Sequence, residues 1–437
     1  HHFMGNAKAA IADLTQAVTL RPEAPNSHWF RGLTHYNIGD YSAALADFSR
    51  TIELQPEDSA NYRWRGQTYY ALGQYDEALA DFNRALEINA EDSYNLHWRG
   101  TLYHGLGRFQ EALEDLNRAV ELAPTNASNY RWRGQTYLDL RNLPAAIADL
   151  DKALALQPEN GYVAYLRGRA HYASGDREAA LADFDLAVRL QPGDRFNHHW
   201  RGTLYYELGR YAEALADFST AINLKPDEEE NYYLRGRTLY AMNRKPEAIQ
   251  DFTRAIQLNP QGSFNFHWRG SVNYELGNYE AALADLNRAI ELQPEDGLNY
   301  NWRGRTNYAL NNPQAALADF GRAIELQPNT ADFYLFRGRT YLDLRQYGEA
   351  LNDCNRAAEL QPNNGFVYSL RGRVYLSMGD REAALADLTH SLELIPENGN
   401  TYFFRAQTYL GMGNREAALA DVMRAVEIQP NDQENLF

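Results

Sequence analysis

The sequence predicts an all-α solenoid built from stacked helix–turn–helix repeats. Three observations carry that reading. The dipeptide Arg-Gly returns every 34 residues without insertion or deletion, from Arg31–Gly32 through Arg65–Gly66 and Arg99–Gly100 to Arg371–Gly372, and Arg405–Ala406 closes the series. Within each period apolar residues recur at spacings of three and four, which is helical. Gly and Pro fall at fixed places between these stretches. A period of this length defines an architecture before any single motif is read.

The copy Ser59 to Asp92 shows the elements, with Ser59 as position 1. Its first half places Tyr62, Trp64 and Tyr69 at helical spacing and ends in Leu72-Gly73. Gly73 suits the left-handed conformation that closes a helix, and Asp58 or Ser59 suits its N-cap. The second half carries Ala78, Leu79, Phe82, Ala85, Leu86 and Ile88. In most copies a Pro follows, such as Pro56, Pro124, Pro158 and Pro192, and it stops the helix because it cannot continue one. Twelve full repeats run from Pro25 to Asp432. Residues 1–24 read as a partial repeat, the end of a first helix plus a second helix. Residues 433–437 read as the start of a further repeat or as a tag remnant. A fainter rhythm links repeats six apart, since Gly161–Asp194 and Gly365–Asn398 share GDREAALAD.

The recurrence of Gly66, Tyr69, Ala78, Phe82 and Ala85, with Pro at the end of most copies, resembles the tetratricopeptide repeat family. The resemblance implies a right-handed superhelix, with first helices on a concave wall and second helices on a convex one. It also implies a role in holding partner proteins or peptides. One departure is uniform: Arg precedes the Gly in every copy, where the family commonly has Leu.

Composition narrows the function classes. With 437 residues the chain exceeds one ordinary core, a limit that a solenoid escapes because each repeat packs only on its neighbours. A net charge of −16 opposes nucleic-acid binding, which needs a basic footprint. The single cysteine, Cys354, excludes an intramolecular disulfide framework. No run of about 20 apolar residues is present to span a membrane. Cytoplasm and extracellular space both remain open. The glycines are repeat-phased turns and helix contacts, not a phosphate loop, and the histidines are scattered. Neither a catalytic residue, a metal site nor a cofactor is expected.

Two positions carry charge in every full repeat: Arg at position 7 and Asp at position 23. Both lie on the stripes that face the core between the two helices. Arg forks match carboxylates bidentately, so Arg65, Asp81, Arg133, Asp149, Arg201 and Asp217 are expected in a ladder of partly buried ion pairs. Position 6 is large and apolar throughout (Trp64, Trp98, Leu166, Trp200, Phe336) and is expected to pack between repeats.

Positions 2, 5, 9 and 12 share another face of the first helix and vary from repeat to repeat. Position 5 holds Arg63, His97, Arg131, Tyr165, His199, Tyr233 and His267. Position 9 holds Arg169, Arg237, Arg305, Arg339 and Arg373, and position 12 holds Tyr172, Tyr206, Tyr240, Tyr274 and Tyr308. By the resemblance this face is the concave one. Tyr and Arg are enriched at interfaces, so these residues are the candidate ligand-binding set, suited to acidic or aromatic peptide segments or to stacking on a glycan ring. The Lys–Asn clamp that some family members use is not supported, because position 5 is never Lys and position 9 is never Asn. The primary expectation is a non-catalytic scaffold binding an extended ligand along this groove. The alternative is a subunit that self-associates end to end into a filament.

Overall fold

A computed structural model describes residues 7–429. Among these residues the chain forms twenty-five α-helices and no strand. The expected start of a further repeat at 433–437, and the expected first-helix end within residues 1–6, lie outside the described residues. The chain divides into two compact halves, residues 1–209 and 210–437.

Each half is a stack of helical hairpins. Second helices span 14 residues, as in Tyr75–Ile88, and first helices span 13 or 14, as in Ser59–Ala71 and Gly161–Ser174. Ala7–Leu20 takes the place of a second helix ahead of Pro25–Asn37. Helix starts follow local chemistry: the Asp58 carboxylate accepts from Ala60 N at 3.0 Å, and Asp40 accepts from Ala43 N at 3.2 Å. The first helices of neighbouring repeats touch one another directly within each half.

The turn between helices imposes one backbone demand. Position 15 has φ between +72° and +87° where it is Gly. Arg141, Asn243, Asn311 and Arg345 adopt φ near +60° at the same place. Arg141 and Arg345 therefore carry a left-handed conformation that asparagine tolerates and arginine does not favour.

Position 8 shows why the Arg-Gly pair recurs. A Cβ on Gly168 would stand 2.7 Å from Phe184 Cε1, and one on Gly66 would stand 2.8 Å from Phe82 Cε1. The ring of the second helix thus lies directly on the first-helix backbone. The position that faces this glycine is Phe or Leu in most repeats, Cys354 in one and Val422 in the last, where Ala406 replaces Gly. Cys354 is fully buried and burial pushes its thiol up to about 12, so it acts as a small core residue.

Expected ion pairs form in repeats that lie within one half. Arg65 Nε and Nη2 each donate to Asp81 at 2.8 Å, and Arg133 makes the same fork to Asp149 at 2.7 Å. The carboxylates are buried while the guanidinium groups keep one edge partly wet; Asp149 and Arg133 side chains are 9% and 19% exposed. The third arm reaches the preceding repeat. Arg133 Nη1 donates to Asn117 at 2.9 Å, Arg99 Nη1 to Asn83 at 2.9 Å and Arg371 Nη1 to Asn355 at 2.9 Å. Arg201 donates to Asp185 at 2.8 Å within the first half; Asp217 belongs to the second half. Each such Arg ties three helices together.

Two outcomes follow for stability. Asp149→Ala should destabilise the first half by about 3–5 kcal/mol, because Arg133 is left without its carboxylate. The double change Arg133→Met with Asp149→Leu should cost much less, and urea titrations of parent, single and double variants measure the difference. Arg141→Gly should stabilise by about 0.5–1 kcal/mol by releasing the left-handed arginine, read as a rise in the unfolding midpoint.

Candidate ligand-binding wall on the first helices

Position 6 is the keystone of the wall. Trp64 stacks on Phe48 of the preceding repeat with centroids 6.1 Å apart and planes at 19°. Trp268 on Phe252 and Phe336 on Phe320 repeat this at 6.2 and 6.1 Å. The preceding repeat's position 12 closes on the same ring edge-on, as Tyr172 does on Trp200 and Tyr240 on Trp268, both at 5.5 Å. Position 9 lies over it as well. The guanidinium carbons of Arg169 and Arg237 stand 5.5 and 5.3 Å from the Trp200 and Trp268 centroids, and Arg373 stands 4.4 Å from Phe404. Position 6 therefore packs between repeats, and the candidate arginines rest on its outer face.

Several residues of the candidate set prove to be engaged by the protein itself. The structure corrects the expectation for His97 and Tyr165, which lie beneath the surface of the wall rather than on it, both buried. His97 Nδ1 bonds Asn129 Oδ1 at 2.8 Å, and His267 Nδ1 bonds Asn299 Oδ1 at 2.6 Å. Asn129 in turn donates to Ala119 O at 2.9 Å, the end of the preceding second helix. Position 5 is thus partly an inter-repeat polar contact, and the buried Asn at position 3 is its partner. The sequence signal was available: Asn occupies position 3 at Asn61, Asn95, Asn129, Asn197, Asn231, Asn265 and Asn299. Arg63 pairs with Asp92 at 3.1 Å and covers the Tyr94 ring, while Arg131 lies 4.5 Å from the Trp132 centroid.

Position 12 shows a rhythm of two repeats. The hydroxyls of Tyr172, Tyr240 and Tyr308 donate to Glu207, Glu275 and Asp343, each at position 13 of the next repeat, and the Tyr240 bond is 2.6 Å. His104 approaches Asp139 at 3.5 Å in the same manner. Between these pairs position 13 is small, as at Ala173, Ala241 and Ala309. Burial and the adjacent carboxylates push the Tyr172 and Tyr240 hydroxyls up to about 12. These tyrosines therefore present a ring edge and a bound acid, not a free hydroxyl. Tyr206 and His199 are likewise in contact with protein groups.

Position 2 supplies the exposed apolar surface, and its individual residues carry more of the wall than the sequence pattern indicated. Tyr94, Phe196, Phe264 and Phe366 are 59%, 46%, 57% and 57% exposed. In the second half a groove of about 660 Å³ is lined by Phe336, Arg339, Phe366, Arg373 and Phe404, with Glu397 as its acid. It meets a smaller cavity of about 230 Å³ at Phe336 and Arg339, where Tyr274, Arg305, Tyr308 and Ala309 line the wall. No cluster of three metal-ligating side chains occurs among the described residues, and no described helix is long and apolar enough to cross a membrane.

This geometry has counterparts in known proteins. Sequence models of the tetratricopeptide repeat match residues 3–59, 31–93, 65–127, 133–195 and 303–365, with others matching 229–261, 264–296, 367–398 and 399–432. A related model described as a TPR repeat matches 202–243. The chain belongs to the tetratricopeptide repeat family. No curated protein matches it. Among solved structures, a chain of the APC/C hetero-tetramer Cut9–Hcn1 is similar over 97% of this chain and 96% of its own, with 15% identity and a TM-score of 0.52, which shows the shared fold. Yeast Tom70 is similar over 95% and 93%, with 18% identity and a TM-score of 0.43. YrrB, described as a TPR protein with an unusual peptide-binding site, is similar over 42% of this chain and 95% of its own, with 25% identity and a TM-score of 0.35.

The buried histidine gives a pH test. Burial, opposed by the Asn129 bond and aided by the Arg131 charge, holds the His97 imidazole down to about 4. Unfolding returns it to about 6.5, so the unfolded chain binds the extra proton between those values. The stability this residue contributes is fully present above pH ~6.5 and is lost as pH falls toward 4, by about 3 kcal/mol in all. His97→Gln should flatten that part of the pH profile relative to parent, measured as unfolding midpoints from pH 7 to 4.

Proposed function

We propose that this chain is a non-catalytic scaffold that holds an extended protein segment along its first-helix wall. The observation that carries the reading is the groove between Phe336 and Phe404, where exposed apolar surface at position 2 adjoins arginines at position 9. Core positions are repeated almost unchanged along the chain, whereas the side chains that line this groove differ from repeat to repeat. A wall of that kind reads successive residues of a ligand. Amphipathic arginines on aromatic rings and open phenylalanines suit a peptide backbone with alternating polar and apolar side chains. The shared repeat architecture agrees with this reading, since its fold presents an extended inner surface. The second helices offer a different face. Their exposed Arg–Glu pairs, such as Arg322–Glu325 and Arg356–Glu359, satisfy each other three residues apart and leave a solvated surface.

Selecting peptides from a random library on the full chain and mapping them by hydrogen exchange tests the proposal. Protection is expected on the first helices Ala331–Asp343 and Gly365–Met378. Phe366→Asp should weaken a selected peptide about tenfold or more, the effect of losing an interface anchor, while thermal unfolding stays close to parent. Binding lost instead in Arg356→Ala, and kept in Phe366→Asp, would overturn it.

A further inference from the structure

Arg305 stands apart from the other charged residues of the wall. Its guanidinium carbon lies 3.9 Å from the Trp302 centroid, 4.6 Å from Phe336 and 4.8 Å from Tyr274. Three rings from three successive repeats thus enclose one cation. Its Nε is buried and has no hydrogen-bond partner, and among the described residues no carboxylate stands within ion-pairing distance. Position 13, whose acids elsewhere accept from the tyrosine of the preceding repeat, carries none in this repeat. Position 13 is Glu275 in the repeat before and Asp343 in the repeat after, but Ala309 in the repeat of Arg305 itself. The space that an acid fills elsewhere is open here, and it forms part of the cavity of about 230 Å³.

A buried donor edge on a permanent cation is costly when nothing accepts from it. Aromatic faces partly offset the charge but accept no strong hydrogen bond. A planar carboxylate fits both demands, because two parallel N–H donors of a guanidinium match its oxygens. The larger groove adjoins the pocket at Phe336 and Arg339 and displays Phe366. Arg305 and Phe366 stand on first helices two repeats apart, a span of about 20 Å at ~10 Å per neighbouring pair, which about six residues of extended chain cover.

We propose that Arg305, walled by Tyr274, Trp302 and Phe336, receives the side-chain carboxylate of an extended acidic peptide segment whose apolar residue about six positions away seats against Phe366. This rests on the wall-binding function proposed above and adds the ligand's chemistry to it. Arg339 lies at the junction and supplies a second positive charge. An acid alone, lacking the apolar neighbour, uses only half of the site.

The test uses the full chain and fluorescently labelled extended peptides with one Glu and one Phe about six residues apart, in both orders, each paired with its Glu→Gln counterpart. At low salt the parent should bind the better Glu peptide about tenfold tighter than its Gln partner, the order expected for a charge-assisted bidentate bond. Arg305→Gln should abolish that preference, and Arg305→Lys should retain part of it. Phe366→Ala should weaken the Glu and Gln peptides equally. Thermal unfolding establishes that each variant is folded; should Arg305→Gln unfold, the Glu-to-Gln comparison on parent and on Arg305→Lys decides. Equal affinity of parent for Glu and Gln peptides, no binding of either order, or an undiminished preference in Arg305→Gln overturns the carboxylate site. The wall reading survives those results if library peptides still protect the first helices, and falls separately if none does.

Discussion

The fork between Arg at position 7 and Asp at position 23 is the interaction on which the stack depends. A repeat of 34 residues cannot enclose a core of its own, so its two helices and its neighbour must be held in one register. The arginine does this with three arms: two reach the Asp of its own second helix, and the third reaches a polar residue on the second helix before it. The glycine beside it lets the Phe or Leu ring of the second helix lie on the backbone. Charge and close approach therefore occupy adjacent residues, which is why the dipeptide recurs in all but the last full repeat, where Ala406 stands for Gly. A hydrophobic residue in place of the arginine would pack but would not bind the preceding helix.

Most of this was legible from the sequence because it repeats. The hairpin, the turn at position 15, the Asp ladder and the inter-repeat role of position 6 all recur at one phase, and recurrence separates structure from noise. Direction was less legible. Helical spacing places His97 and Tyr165 on the variable face, but the closeness of successive first helices buries His97 against Asn129 of the next repeat and Tyr165 in a core cluster with Trp200. That distance is a tertiary quantity and spacing within one helix does not contain it. The same holds for Tyr172, Tyr240 and Tyr308, whose acids lie 35 residues onward on another helix. The arginines of position 9 rest on rings drawn from other repeats as well as their own, as Arg305 does on Tyr274, Trp302 and Phe336.

The wall that results is a mixture of spent and unspent groups. Where an acid follows a tyrosine, the polar potential of the pair is internally satisfied and the surface is shaped but quiet. At Ala309, where alanine follows instead, Arg305 borders a cavity of about 230 Å³. Specificity on such a surface is written by what is missing as much as by what is present, since the rings and helices are nearly constant.

The alternation at positions 12 and 13 also gives the array a parity. Although the backbone repeats every 34 residues, its hydrogen-bond donors and acceptors on the inner face return every second repeat. Tyrosine stands at position 12 in five successive repeats, Tyr172 to Tyr308, so it is the acid at position 13 that alternates, from Asp139 to Asp343. Removing one of these repeats sets two acids or two alanines in succession, whereas removing two keeps their alternation. Along this stretch the inner face therefore repeats by pairs of hairpins.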